Sequence, residues 1–269
     1  MPEFTAKDVQ ALRNATGAGM MDAKRALTEC DGDRESATKW LRERNLGKAA
    51  ERAGRDNHEG AVAVSYDRAS NAIALVELRS ETDFGAKTPD FVNLVNELAV
   101  LVASDGEDAV GQRKSAIEDL NISTRENVQL GEVFRYQAAP GNVVGSYLHV
   151  QNDRGVNGVI VEISGGDADL AHDLAVHIAF GRPKYLRRED VPAEEVEAER
   201  ATLETATRRE GKPEAAVPKI VDGKLGGWYK RVPGGVLLEQ PYAKDDSQPV
   251  AKVLRGATVV RFAQVVIGG

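Results

Sequence analysis

Ala72-Ile73-Ala74-Leu75-Val76-Glu77-Leu78-Arg79-Ser80-Glu81-Thr82-Asp83-Phe84-Gly85-Ala86-Lys87-Thr88-Pro89 is where the hydrophobic pattern of this chain changes period. Ala72 to Leu78 is a short apolar run containing β-branched residues, which predicts a strand. After the break, Phe91, Leu94, Val95, Leu98 and Val102 recur at helical spacing, so a helix is predicted from Pro89 to about Ala103. Thr88 stands at its N-cap, Pro89 at the first helical position and Asp90 beside the positive end of the dipole. The residues between form a strand-to-helix corner, and Phe84 lies in it. A large aromatic there either folds back into its own core, as most do, or projects as a probe toward a partner.

The same grammar extends in both directions. Upstream, Ala61-Val62-Ala63-Val64-Ser65-Tyr66 and the run from Ala72 flank a polar loop, the pattern of an antiparallel hairpin. Downstream, 105–123 holds a second helical stretch and 127–137 returns to strand character. Val143 to Val150 and Gly158 to Ile163 flank Asn152-Asp153-Arg154-Gly155, and a helix from about Asp167 to Phe180 carries Leu170, Leu174 and Ile178. Hairpin plus helix thus occurs twice, without a quotable sequence repeat. The predicted fold class is α+β, with core subdomains over 60–140 and over 141–188 resumed at 228–269. The charged segment 189–227, broken at Gly211-Lys212-Pro213, reads as an inserted antiparallel helical hairpin projecting from the core, with Val217, Ile220, Val221, Leu225 and Trp228 on its second arm. Strands near Val236 to Glu239 and Thr258 to Ile267 are expected to rejoin the second sheet.

Residues 1–46 read as three short helices in a module resembling a ubiquitin-associated domain. Thr5 and Asp8 make a capping-box start with Val9, Leu12 and Ala15 as the apolar face, Gly17-Ala18-Gly19 ends that helix, and Ala23, Leu27 and Cys30, then Ala37, Trp40 and Leu41, line the next two. Met20 and Met21 sit at the glycine-rich mouth, where thioethers suit either core gaps or adaptable contacts, and one is expected to point inward. Residues 47–59 are polar and read as a linker or a solvated helix.

Composition narrows the function. With 269 residues, 42% of them hydrophobic, the chain can bury a proper core, and a net charge of −7 disfavours direct nucleic-acid binding, so a protein partner is expected. A single cysteine, Cys30, excludes an intrachain disulfide and a multi-thiolate zinc site and is expected to be a small buried hydrophobe. No run reaches the ~18 apolar residues of a membrane span, and Met1-Pro2-Glu3-Phe4-Thr5 lacks the character of a signal or transit peptide, so a cytoplasmic location is expected. Neither nucleotide-cradling glycine motif is present, and His172 and His177, five apart, fall on different faces of a helix and cannot share a metal. An enzyme is therefore not expected, and no cofactor or metal is implied. A passive helical adaptor remains the alternative, but it leaves the Phe84 corner without a purpose.

Thr82-Asp83-Phe84 followed by Ala86-Lys87 resembles the signature of the elongation factor Ts family. So do Leu12 through Leu27 with Asp31-Gly32-Asp33, Ala175-Val176-His177-Ile178-Ala179, Gly211-Lys212-Pro213-Glu214, Lys219 through Leu225, and Leu238-Glu239-Gln240-Pro241, all in the family's order. The resemblance implies a guanine nucleotide exchange factor for elongation factor Tu, in GDP-bound and nucleotide-free forms, acting in polypeptide chain elongation. It implies that Phe84 inserts between helices of the partner's nucleotide domain, that Thr82, Asp83, Phe84 and Gly85 together dislodge its Mg2+, that Met20 and Met21 touch the same domain, and that the helix of His177 engages the distal domain. The inserted hairpin corresponds to the family's coiled coil, and whether it makes a homodimer of the complex stays open. The family usually has valine in place of Gly85 and asparagine or aspartate in place of Thr88.

Overall fold

The computed structural model describes residues 4–268; the expectations for Met1 to Glu3 and for the side chains of 45–46 and 48–50 lie outside the described residues. Three helices come first, α1 (Ala6–Thr16), α2 (Met20–Glu29) and α3 (Arg34–Arg52). Thr5 and Asp8 form the reciprocal capping box, and Gly17, left-handed at φ 66°, stops α1. Val9, Leu12, Ala23, Leu27, Ala37 and Leu41 make the module's own core. Two expectations change here: Ala15 is exposed, and Cys30 is only half-buried at the end of α2. Helix α3 runs through Arg52, so the first part of 47–59 takes the helical one of its two readings.

The body contains two antiparallel three-stranded sheets. Strands β1 (Glu59–Asp67) and β2 (Ala72–Ser80) pair as the hairpin, and β3 (Gln129–Gln137) adds to the far side of β2. Between β2 and β3 the chain forms α4 (Asp83–Ala86), α5 (Pro89–Asp105), a 3-10 helix (Glu107–Arg113) and α6 (Lys114–Thr124). The second sheet has the order β4 (Asn142–Gln151), β5 (Arg154–Ser164) and β8 (Thr258–Val266), with α7 (Ala168–Gly181) after β5. The turn between β4 and β5 is tighter than expected, because Asn152 and Asp153 are both left-handed (φ 52° and 62°) and the strand resumes at Arg154.

The period of two explains why the central strands read as unbroken apolar runs. On β2, Ala74, Val76 and Leu78 face α5, whereas Ile73 and Leu75 face the other sheet. On β5, Val159, Val161 and Ile163 face α7, and Ile160 joins the layer between the sheets. The result is helix on sheet on sheet on helix. At Gly158 the sheets approach so closely that a Cβ would lie 2.5 Å from Leu75 Cδ1.

Between α7 and β8 come α8 (Ala193–Arg209) and α9 (Val217–Tyr229), joined through left-handed Gly211 and clasped by Arg200–Asp222 at 2.8 Å and Lys224–Glu210 at 2.7 Å. The last turn of α9 passes the expected boundary at 227, and Leu225 and Tyr229 pack with Val191 and Val236 at the hairpin's base. The strand expected near Val236 to Glu239 is instead a 3-10 helix, Leu237–Glu239. A small hairpin, β6 (Pro241–Tyr242) with β7 (Asp245–Pro249), and a short α10 (Val250–Val253) then lead into β8.

Candidate functional site

The corner between β2 and α5 is ordered as one turn of helix. Thr82 is extended and accepts the Gly85 N–H on Oγ1 at 3.1 Å, capping α4. Thr88 occupies the N-cap position of α5 without capping it; its hydroxyl donates to the Gly85 carbonyl at 2.9 Å and closes the far side of the same turn. Gly85 and Ala86 are buried, whereas Phe84, pointing the other way, is 79% exposed. The aromatic is therefore outside its own core.

Asp83 and Lys87, four apart, form an ion pair across the turn, and that hydrogen bond holds the Asp83 carboxyl below the usual carboxylate range. The Lys87 ammonium also lies 5.5 Å from the centre of the Phe84 ring, a cation–π contact that biases the ring's direction. Asp83 is thereby linked through Lys87 to the Phe84 ring.

Met20 and Met21 begin α2, and both are exposed, at 44% and 75%, so neither points inward as the sequence suggested. A helix that opens directly after Gly19 places its first two side chains at the module's tip, ahead of Ala23, Ala26 and Leu27 that form its buried face. Two exposed apolar groups on separate elements, Met21 and Phe84, are connected through the short segment after α6. There Arg125 lies against Gly19, where a Cβ would meet its guanidinium at 2.9 Å, and Glu126 accepts from Thr82. Asn127, buried, donates its side-chain amide to the carbonyls of Ala53 and Arg55 beyond α3 and its backbone N–H to Glu81 Oε1 at 2.7 Å.

His177 departs from its expected role. Its side chain is fully buried and has no surface to offer a partner. Ala243 N–H donates to Nδ1 at 3.1 Å, which assigns the proton to Nε2, and Nε2 donates to Gln240 Oε1 at 3.0 Å. Gln240 in turn donates to the carbonyls of Gly181, Arg231 and Gly234. His177 thereby fastens α7 to the base of the helical hairpin and to β6. Burial lowers its pKa. The exposed large apolar side chain of this helix is Phe180.

Sequence reasoning missed Glu126, Lys87 and Gln240 as parts of this arrangement. A signal existed for the first: a glycine at 85, where a side chain is usual in the resembled family, marks space taken by another group. Among the described residues, no group of three or more His, Cys, Asp or Glu side chains is placed to hold a metal ion, and no helix is long and apolar enough to cross a membrane.

Residues 81–269 match the family model described as "Elongation factor TS". Curated relatives are similar over the full length of both chains: the elongation factor Ts of Clavibacter michiganensis subsp. michiganensis at 43% identity, that of Streptomyces griseus subsp. griseus at 44%, and that of Micrococcus luteus at 43%.

Proposed function

Because this chain belongs to the elongation factor Ts family, we propose that it is a guanine nucleotide exchange factor that binds elongation factor Tu carrying GDP and speeds GDP release during chain elongation. The observation that carries this reading is Phe84, 79% exposed at the tip of a turn tied down on both sides. An apolar side chain in water gains by burial, about 1.5–3 kcal/mol for one of this kind. A fixed turn spends little of that gain on ordering.

A GTPase holds its nucleotide through the phosphates and through a Mg2+ that bridges them to the protein. Insertion of Phe84 beside that site, with Thr82, Asp83 and Gly85 as its support, moves the partner's elements that hold the cation and the phosphates. Met20 and Met21 provide a second purchase on the same domain. Nothing is chemically transformed: the exchange factor binds the nucleotide-free partner more tightly than the loaded one, and by linkage its binding weakens that of the nucleotide by the same factor. The net charge of −7 supports a protein partner over nucleic acid, and a role in translation supports a cytoplasmic location. Release of fluorescent GDP from elongation factor Tu tests the proposal. Acceleration by catalytic amounts of this protein is expected, and an unchanged rate with demonstrated binding would reduce it to an adaptor.

A further inference from the structure

A helix of one turn is not stable by itself, so the order of α4 requires support from outside its own sequence. Glu126 supplies it from the other side of α5 and α6. One carboxylate oxygen, Oε1, accepts the Thr82 hydroxyl at 2.6 Å, while Oε2 accepts the buried Ser80 hydroxyl at 2.5 Å and the Thr82 N–H at 3.1 Å. Since the Thr82 hydroxyl gives its hydrogen to Glu126, its lone pairs are free to accept Gly85 N–H at 3.1 Å. A directed chain runs from Gly85 N–H through Thr82 to an ionised carboxylate, and bonds to a charge are the stronger kind.

The same carboxylate fills the space of the absent side chain at 85. A Cβ on Gly85 would stand 2.5 Å from Glu126 Oε2, 2.7 Å from Cδ and 2.8 Å from Oε1, so a larger residue must displace the acid. Gly85 is outside the left-handed region, which leaves this crowding, and no backbone requirement, as the reason for glycine. Arg125, itself left-handed at φ 61°, reaches Gly19 at the head of α2.

We propose that Glu126 is a positioning residue for nucleotide exchange: it fixes the turn that carries Phe84, through Thr82, and it is coupled to Gly85 by occupying that residue's side-chain space. This rests on Phe84 being the group that acts on the partner. The full-length protein is tested by its stimulation of fluorescent GDP release from elongation factor Tu, with melting temperature measured alongside. Glu126→Ala is expected to lower stimulation roughly tenfold, as loss of charge-assisted bonds would, and Glu126→Gln, which keeps one acceptor oxygen, to lower it less. In a Phe84→Ala background Glu126→Ala should cause no further loss, because it acts only through Phe84; a multiplicative loss overturns the proposal. Gly85→Val should impair the wild type more than the Glu126→Ala protein, and equal impairment in both backgrounds overturns the coupling. If Glu126→Ala does not fold, Glu126→Gln carries the comparison with Phe84→Ala, and Glu126→Ser, which also empties the space beside Gly85, carries the comparison with Gly85→Val. Wild-type stimulation by Phe84→Ala would sink the reading of Phe84, whereas loss with Phe84→Ala and none with Glu126→Ala would sink this proposal alone.

Discussion

Phe84 and His177 exchange the roles that residue type alone suggests for an aromatic and a polar ring. The apolar ring is outside, supported by Thr82, Lys87 and Thr88, and the imidazole is inside, supported by Gln240 and Ala243. Truncating Phe84 to alanine should therefore cut stimulated GDP release by about 30-fold, the scale of an interface hot spot near 2 kcal/mol. Stability should hold within about 0.5 kcal/mol, as for an exposed side chain; a large fall in melting temperature would return Phe84 to the core. For His177 the sign follows from burial, which lowers its folded-state pKa below the ordinary 6.5. The unfolded chain then binds the proton more readily, so stability is lost as pH falls below about 6.5, by at most about 1.4 kcal/mol per pH unit from this one group. His177→Gln should be less stable at pH 7 and show a shallower decline between pH 7 and 5 in urea titrations. Parallel declines for the two proteins would mean that His177 does not titrate with unfolding. The sequence could mark both residues as notable, but which way each side chain points depends on neighbours 63 to 66 positions away for His177.

At the scale of elements, periodicity was readable wherever one face of a helix or strand is buried. Phe91, Leu94, Val95, Leu98 and Val102 all fall on the buried face of α5, and the β1–β2 hairpin pairs in the expected order. The misjudged elements are those whose conformation is set by a partner. The 3-10 helix at Leu237–Glu239 has apolar residues a strand would also use, but Gln240 must turn inward to reach His177. The boundary of the helical hairpin is another case, since Leu225 and Tyr229 belong to a cluster with Val191 and Val236. This distinguishes two deletions. Joining Arg200 to Asp222, which already touch at 2.8 Å, with a short glycine bridge should leave melting and GDP release close to wild type. Removing 189–227 should lower the melting temperature clearly, because it takes Val191 and Leu225 out of the base. Equal melting temperatures for the two deletions would show that the base contributes nothing to stability.

Across the whole molecule, the two sheets are held by a shared apolar layer of Val62, Ile73, Leu75, Tyr136, Ile160, Ala263 and Val265. Leu75→Ala, in the middle of that layer, should cost about 2–5 kcal/mol of stability. Exchange activity below the new melting point should change little, since the layer lies away from Phe84 and Met21. A loss of activity with the fold intact would show that the placement of one sheet on the other is part of the exchange mechanism.

The β1–β2 and β4–β5 hairpins, the helices that follow them, the cap at Thr5 and the apolar faces were determined by the sequence itself, because each depends on residues within a few positions of one another. The family likewise shows in ordered local motifs. The burial of His177 and the support of Phe84 by Glu126 were decided only by tertiary structure. Each is a contact between chain segments far apart in sequence, such as the 44 positions separating Thr82 from Glu126. Local chemistry can offer a hydroxyl and a glycine at the corner; only the packed fold brings the carboxylate that uses both.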